Sequence, residues 1–267
     1  MMQSAVLAIG GAEDKVNGRE ILRLFCERAG GTDATLGIIP AASGEPAIIG
    51  AIYQRLFEDL GAKRVDILDI REREQSENPH WADQLPHYSG IFMTGGDQLR
   101  LTTLLADTPL LEALLDQAGR GQITIAGTSA GAAVMSYHMI AGGGNGESPN
   151  PALVSMSYGF GFVPGVIVDQ HFNNRNRMAR LISALAMHPQ CLGVGIDEDT
   201  CAVFEPDGQL QVVGRGTVVI LDPGEHPPAC PWPAEGTTPI SLHNLRLHIL
   251  RRGDRYNLRQ RTTLPAA

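Results

Sequence analysis

Cysteine is scarce, with four in 267 residues at Cys26, Cys191, Cys201 and Cys230. Their spacing fits neither a zinc site nor a redox pair, and they are expected to be small buried hydrophobes. Long apolar runs are lacking as well. No stretch approaches the roughly 18–20 apolar residues that span a bilayer, so no membrane partner is expected. The N-terminus, MMQSAVLAIGGAEDK, has no basic segment followed by an apolar core and a small-residue cleavage site. It reads as the first strand of a fold, so the expected location is the cytoplasm, where structural disulfides are rare. Basic residues are the third deficit. Lys plus Arg number 21 against 29 Asp plus Glu, for a formal net charge of −8. That argues against non-specific binding to phosphate backbones, so no nucleic-acid partner is expected. It is compatible with a cationic substrate, although mild acidity also serves solubility. No internal repeat is present.

What is there is ordinary for a globular protein. Hydrophobic residues make up 43% of the chain, and the length suits one α/β domain. Short apolar runs at Ala5–Ile9, Leu36–Ile39, Val65–Leu68, Ile91–Met93, Ile123–Ala126 and Val166–Val168 read as strands. Helical patterns lie between them. Asn17 with Glu20 resembles a capping box. Ile49, Ile52, Leu56 and Leu60 share one face of the next helix. The alternation implies βαβ units: an α/β fold with a mostly parallel sheet and helices on both faces. Sites in such sheets form beyond the C-terminal strand ends. Residues 141–151, AGGGNGESPNP, are a loop by composition, either a flap or an ordinary surface loop. The character changes near residue 203. Runs at 203–205, 210–213, 217–221, 245–250 and 255–258 look like antiparallel strands, and Pro223–Pro239 is a proline-rich loop. The expectation is a single domain over 1–267, with 203–267 a mainly β extension.

Gly127-Thr128-Ser129-Ala130-Gly131 follows an apolar strand and precedes a helical run over Ala132–Met139. It fits the G-x-S-x-G elbow, a sharp turn that exposes a serine hydroxyl. A helix N-terminus beneath it favours an oxyanion. The Ala130 N–H is a natural oxyanion donor, and Gly95 or Gly96 on a neighbouring strand end offers a second. The alternative is a glycine-rich turn with Ser129 as a helix cap. A serine nucleophile needs a base. Of eight histidines, His171 stands at the end of a strand, on the edge where Ser129 belongs. A carboxylate must orient the ring, and Asp197-Glu198-Asp199 ends another strand. Only one of the three is expected to point inward. Arg175, Arg177 and Arg180 follow His171. Cations in a first helical turn oppose the helix dipole, so their spacing points to carboxylate recognition or to a solvated basic face.

GGAEDK (10–15), GGDQLRL (95–101), GTSAGAA (127–133), VDQHFNNRNRMARL (168–181) and GIDEDT (195–200) together resemble the cyanophycinase family of serine peptidases. These have a class I glutamine amidotransferase-like, flavodoxin-like fold. The resemblance spans roughly residues 5–222. It implies Ser129 as nucleophile, His171 as base and Glu198 as the acid, with Asp197 and Asp199 as alternatives. It also implies a substrate pocket around Gln98, Asp169, Gln170, Arg175, Arg177 and Arg180. The substrate implied is cyanophycin polymer or Asp-Arg peptides, cleaved to β-Asp-Arg dipeptides through an acyl-enzyme. The arginines suit its carboxylates, and Asp169 its guanidiniums. Gly96 and Ala130 hold the oxyanion in that scheme, no metal or organic cofactor is needed, and the assembly implied is a homodimer. Cys201 departs from the small residue expected after Asp-Thr. Competing readings are an aspartyl or isoaspartyl dipeptidase of the same group and a non-catalytic peptide-binding relative. A true amidotransferase is disfavoured, because the elbow carries serine instead of cysteine.

Overall fold

The computed structural model describes residues 2–146, 148–224 and 236–265. Five strands lead the chain: β1 (Val6–Ile9), β2 (Thr35–Ile39), β3 (Arg64–Ile67), β4 (Gly90–Met93) and β5 (Thr124–Thr128). They are parallel neighbours in the order β1-β5-β4-β2-β3. Helices α1 (Glu20–Arg28), α2 (Pro46–Asp59), α3 (Arg73–Glu77), α4 (Pro79–Gln84), α5 (Gln98–Leu105) and α6 (Pro109–Gly119) connect them, and α7 (Ala130–Ala133) follows β5. Next come β6 (His138–Gly143), β7 (Val154–Tyr158), β8 (Val166–Gln170), α8 (Met178–Met187) and β9 (Leu192–Ile196). The chain ends in β10 (Thr200–Phe204), β11 (Gln209–Gly214), β12 (Thr217–Asp222), β13 (Arg246–Arg251), β14 (Arg255–Asn257) and β15 (Thr262–Leu264).

Side-chain alternation sets the layers. Leu7 and Ile9 of β1 face α1 and α2, together with Phe92, Ala126 and Val203. Val6 and Ala8 face the other way, with Ile91, Met93 and Ile125. That second face is shared by α5, α6, α7 and a second sheet of order β13-β12-β9-β8, whose Val168, Val194 and Ile220 join the same core. The outer face of the second sheet packs on α8 through Ile167, Leu181 and Leu185. Strands β10, β11, β14 and β15 extend the main sheet beyond β1 to nine strands. The α/β class with antiparallel C-terminal strands is therefore present.

Several local expectations are corrected. β8 and β9 belong to the second sheet, so the strands carrying His171 and the acidic turn do not lie in the sheet that carries Ser129. In α2 the buried stripe is Gly50, Tyr53, Leu56 and Phe57, whereas Ile48 and Ile52 are 57% and 42% exposed. The aromatic rings decide this orientation. Tyr53 packs tilted and Phe57 edge-on against Phe92, at 4.7 and 5.2 Å between centroids, and large rings bury more area than isoleucine. Asn17 caps nothing. Asp14 instead accepts the N–H groups of Val16, Asn17, Gly18 and Arg19, and α1 starts at Glu20. The elbow helix ends at Ala133, because the next carbonyls are taken from outside. Phe160 donates to Val134 at 2.7 Å and Val163 to Met135 at 2.9 Å. His138 thus lies on a strand, and Gly142 and Gly143 of the glycine-rich segment pair with β7 beyond a bulge at Ala141. Of the proline-rich stretch, 225–235 lie outside the described residues, as does Cys230. Cys26, Cys191 and Cys201 are free and buried.

Candidate active site

Strand β5 lies between β1 and β4, with Thr128 opposite Ile9 and Gly127 opposite Met93. The chain then turns sharply. Ser129 has φ 52° and ψ −108°, a conformation that costs a non-glycine residue about 1–3 kcal/mol and collects at functional sites. The surroundings hold it there. The Ser129 N–H donates to Ile9 O at 2.9 Å, and the Ala132 and Ala133 N–H groups donate to Ser129 O, both at 3.0 Å. Glycine at 131 is obligatory, since a Cβ there would stand 2.3 Å from Met93 O.

The second sheet supplies the ring. His171 directly follows β8, and its N–H donates to Gly10 O at 2.8 Å. Its imidazole lies against Gly11, where a Cβ would approach Cε1 to 2.3 Å. Gln170 is paired with Ile196 in the parallel β8–β9 register, which brings the 197–199 turn alongside. Ser129 Oγ is 2.9 Å from His171 Nε2, and His171 Nδ1 is 2.6 Å from Glu198 Oε1. A carboxylate on Nδ1 places the ring proton there and leaves Nε2 free to accept from the hydroxyl. Burial holds the His171 pKa below its ordinary 6.5; Glu198 pulls it up, and the charges of Arg175 and Arg177 push it down.

The neighbouring acids are engaged elsewhere. Asp197 accepts the Asn173 N–H at 2.9 Å and the Thr217 N–H and hydroxyl at 3.0 and 2.8 Å. Asp199 accepts the Asp14 N–H at 2.8 Å and pairs with Arg215 at 3.1 Å. Glu198 alone of the three meets the imidazole. The N–H groups of Gly96 and Ala130 donate to no acceptor among the described residues. Gly95 packs on the serine, where a Cβ would stand 3.3 Å from Ser129 Cβ. With only four residues in α7, any oxyanion stabilisation rests on these N–H groups more than on a helix dipole.

The residues expected around a substrate pocket divide. Arg175 is exposed and forms no ion pair among the described residues. It sits in a short 3₁₀ turn before α8, so it is not on that helix's apolar stripe. Arg177, Arg180, Asp169 and Gln170 are buried together. Arg180 grips Asp169 with two donors, Nε at 3.0 Å and Nη2. Arg177 Nη1 reaches Gln170 Oε1 at 2.8 Å and Asp169 Oδ1 at 3.5 Å. One buried carboxylate thus faces two buried guanidiniums beside His171, with Arg177 Nε left without an acceptor. Gln98 donates to Ala141 O at 2.6 Å and ties α5 to β6.

One buried group was not foreseen. Glu13, 3% exposed, accepts the Thr128 hydroxyl at 2.6 Å, Lys15 Nζ at 2.9 Å and the Tyr53 hydroxyl. Its only sequence signal is the GGAEDK run, where loop composition gives no hint of burial.

A serine at a strained strand-to-helix turn, an imidazole in hydrogen-bond contact and a carboxylate behind it define a serine-type hydrolase on an α/β sheet. Comparison narrows this class. Residues 6–213 match Peptidase family S51. The chain is 61% identical over 264 residues to a cyanophycinase of Trichormus variabilis, covering 99% of this chain and 89% of that protein. A cyanophycinase of Geminocystis herdmanii is 57% identical over 256 residues, covering 96% and 94%. Among solved structures, a peptidase from an acI-B1 actinobacterium superposes with a TM-score of 0.69 at 24% identity, covering 96% of this chain and 97% of that one. A putative peptidase E of Listeria monocytogenes gives a TM-score of 0.55 at 18% identity, covering 80% and 98%. The chain belongs to peptidase family S51 and is a serine peptidase.

Proposed function

We propose that this chain hydrolyses cyanophycin, the aspartate-backbone polymer bearing arginine on each β-carboxyl, to β-Asp-Arg dipeptides. The observation that carries the reading is the unbroken line Ser129 Oγ–His171 Nε2 and His171 Nδ1–Glu198 Oε1 at 2.9 and 2.6 Å, in a chain 61% identical to a cyanophycinase. His171 takes the Ser129 proton as Oγ attacks the scissile carbonyl. Glu198 orients the ring and stabilises its charged form. The N–H groups of Ala130 and Gly96 receive the oxyanion, a contribution worth roughly 100–1,000-fold per donor in such sites. His171 then protonates the leaving amine. Water, deprotonated by the same ring, releases the acyl group and restores Ser129.

Arg175 is the cation that supports recognition of a substrate carboxylate. Asp169, Gln170, Arg177 and Arg180 support the strand end that carries His171. The same reading includes a single domain, a cytoplasmic location and a homodimer. β14 and β15 complete the sheet that β1 begins, which supports one domain. Three free buried cysteines and the lack of any described helix able to cross a membrane support the location. Leu247 and Ile249, 49% and 63% exposed on the edge strand β13, support a self-association surface.

Incubation with purified polymer and, separately, with aspartyl and isoaspartyl dipeptides tests the substrate. Mass analysis is expected to show β-Asp-Arg accumulating from the polymer. Cleavage confined to the dipeptides would assign the chain to dipeptide hydrolysis. Intact polymer and dipeptides would leave only a binding role.

A further inference from the structure

We infer that Glu13 acts as a positioning residue for the hydrolysis, holding the Ser129 elbow through the hydroxyl of Thr128. The inference rests on Ser129 being the nucleophile. Glu13 stands in the β1–α1 loop, 3% exposed, with its side chain enclosed. Its three partners are a threonine hydroxyl, a tyrosine hydroxyl and an ammonium. All three donate toward it, so the group works as an acceptor-only carboxylate. A buried carboxylate is costly to keep, and an apolar residue usually fills such a space at less expense. The surroundings offer that option, because Leu7, Ile9, Tyr53 and Cys201 line the same layer. Lys15 compensates only in part, since its side chain is 34% exposed.

What the charge gains is a grip on the residue before the serine. The Thr128 hydroxyl donates to Glu13 Oε2 at 2.6 Å, and hydrogen bonds to charged groups are about twice as strong as neutral ones. Ser129, next in the chain, sits at φ 52° and ψ −108°. Relaxing that backbone would rotate the 128–129 peptide and pull Thr128 from the carboxylate. The same loop also governs the base. Gly10 O receives the His171 N–H at 2.8 Å, and Gly11 backs the imidazole. Residues 10–13 therefore touch the mounting of Ser129 on one sheet and of His171 on the other. Glu13 anchors the serine side of that span.

The test uses the full-length protein with Thr128→Val, Thr128→Ser and Glu13→Gln. Three readouts are needed: the rate of fluorophosphonate labelling at Ser129, kcat per titrated active site, and the thermal midpoint. Thr128→Val and Glu13→Gln are expected to slow labelling and kcat together by about 10- to 100-fold, the scale of a small misplacement of a reacting group, with KM little changed. Thr128→Ser keeps the hydroxyl and is expected to restore both. A role in stability alone would lower the midpoint of Thr128→Val and leave labelling and kcat per titrated site at the wild-type level. That result overturns the inference. The underlying reading fails separately, and visibly, if the wild-type protein is not labelled at Ser129. Thr128→Val against Thr128→Ser decides the matter even where Glu13→Gln does not fold.

Discussion

His171 shows how individual residues set the working range of the site. In the proposed mechanism the ring must be neutral to accept the Ser129 proton, so kcat/KM is expected to rise with pH through the His171 pKa of the free enzyme. Burial already holds that pKa below 6.5, and the Arg175 charge lowers it further. The acidic limb is therefore expected below 6.5. Arg175→Gln removes a cation that disfavours imidazolium, so the pKa rises and the limb moves to higher pH. A kcat/KM profile measured for both proteins checks the sign, and a limb displaced to lower pH in the variant contradicts the account. This scale was partly legible beforehand. Ser129 and His171 stand at strand ends, and strand ends can be read from apolar runs. Glu198 could not be separated from Asp197 and Asp199 on residues alone, because the distinction lies in the partners that Asn173, Thr217, Asp14 and Arg215 provide. Glu13 was illegible for a related reason, since a glutamate in a glycine-rich loop is ordinarily solvated.

At the scale of elements, the parallel strands, the elbow and the C-terminal antiparallel strands follow from apolar runs punctuated by glycine and proline. The assignment of strands to sheets does not. β8 and β9 read as further members of one sheet, yet they form a second one that packs across the face of the first. Nothing in a strand's own composition names its neighbour; register and partner come from long-range packing. The arginines after β8 depended on this same point. In isolation Arg177 and Arg180 read as a carboxylate grip for a ligand, whereas the second sheet turns Asp169 toward both of them, leaving Arg177 Nε without an acceptor. Removing one partner of such a buried pair costs about 3–5 kcal/mol, and replacing both with apolar residues is often neutral. Asp169→Leu leaves Arg177 and Arg180 buried together without a carboxylate and is expected to lose stability on that scale in denaturant unfolding. Arg180→Met leaves Asp169 facing Arg177 and is expected to lose less. Equal losses in the two proteins would show that Arg177 does not compensate Asp169.

For the whole molecule, the main sheet is built from both ends of the chain, with β1 near the start and β14 and β15 near the end. Separate unfolding of residues 203–267 would strip β11, β14 and β15 from that sheet and β12 and β13 from the other. A single transition is expected, with circular dichroism and tryptophan fluorescence coincident along a denaturant series. Two resolved transitions would divide the chain into independent units. The same architecture explains why the site spans two sheets. Ser129 rides on the sheet that opens the chain, His171 and Glu198 follow strands of the second sheet, and the loop after β1 joins them. The most direct measurement is the rate of β-Asp-Arg release from polymer by wild type and Ser129→Ala, each first shown to be folded by circular dichroism. The account predicts a drop of roughly 10⁴-fold or more, as for removal of other serine nucleophiles, with the variant's fold unchanged. Release by folded Ser129→Ala at a rate near that of the wild type would contradict it.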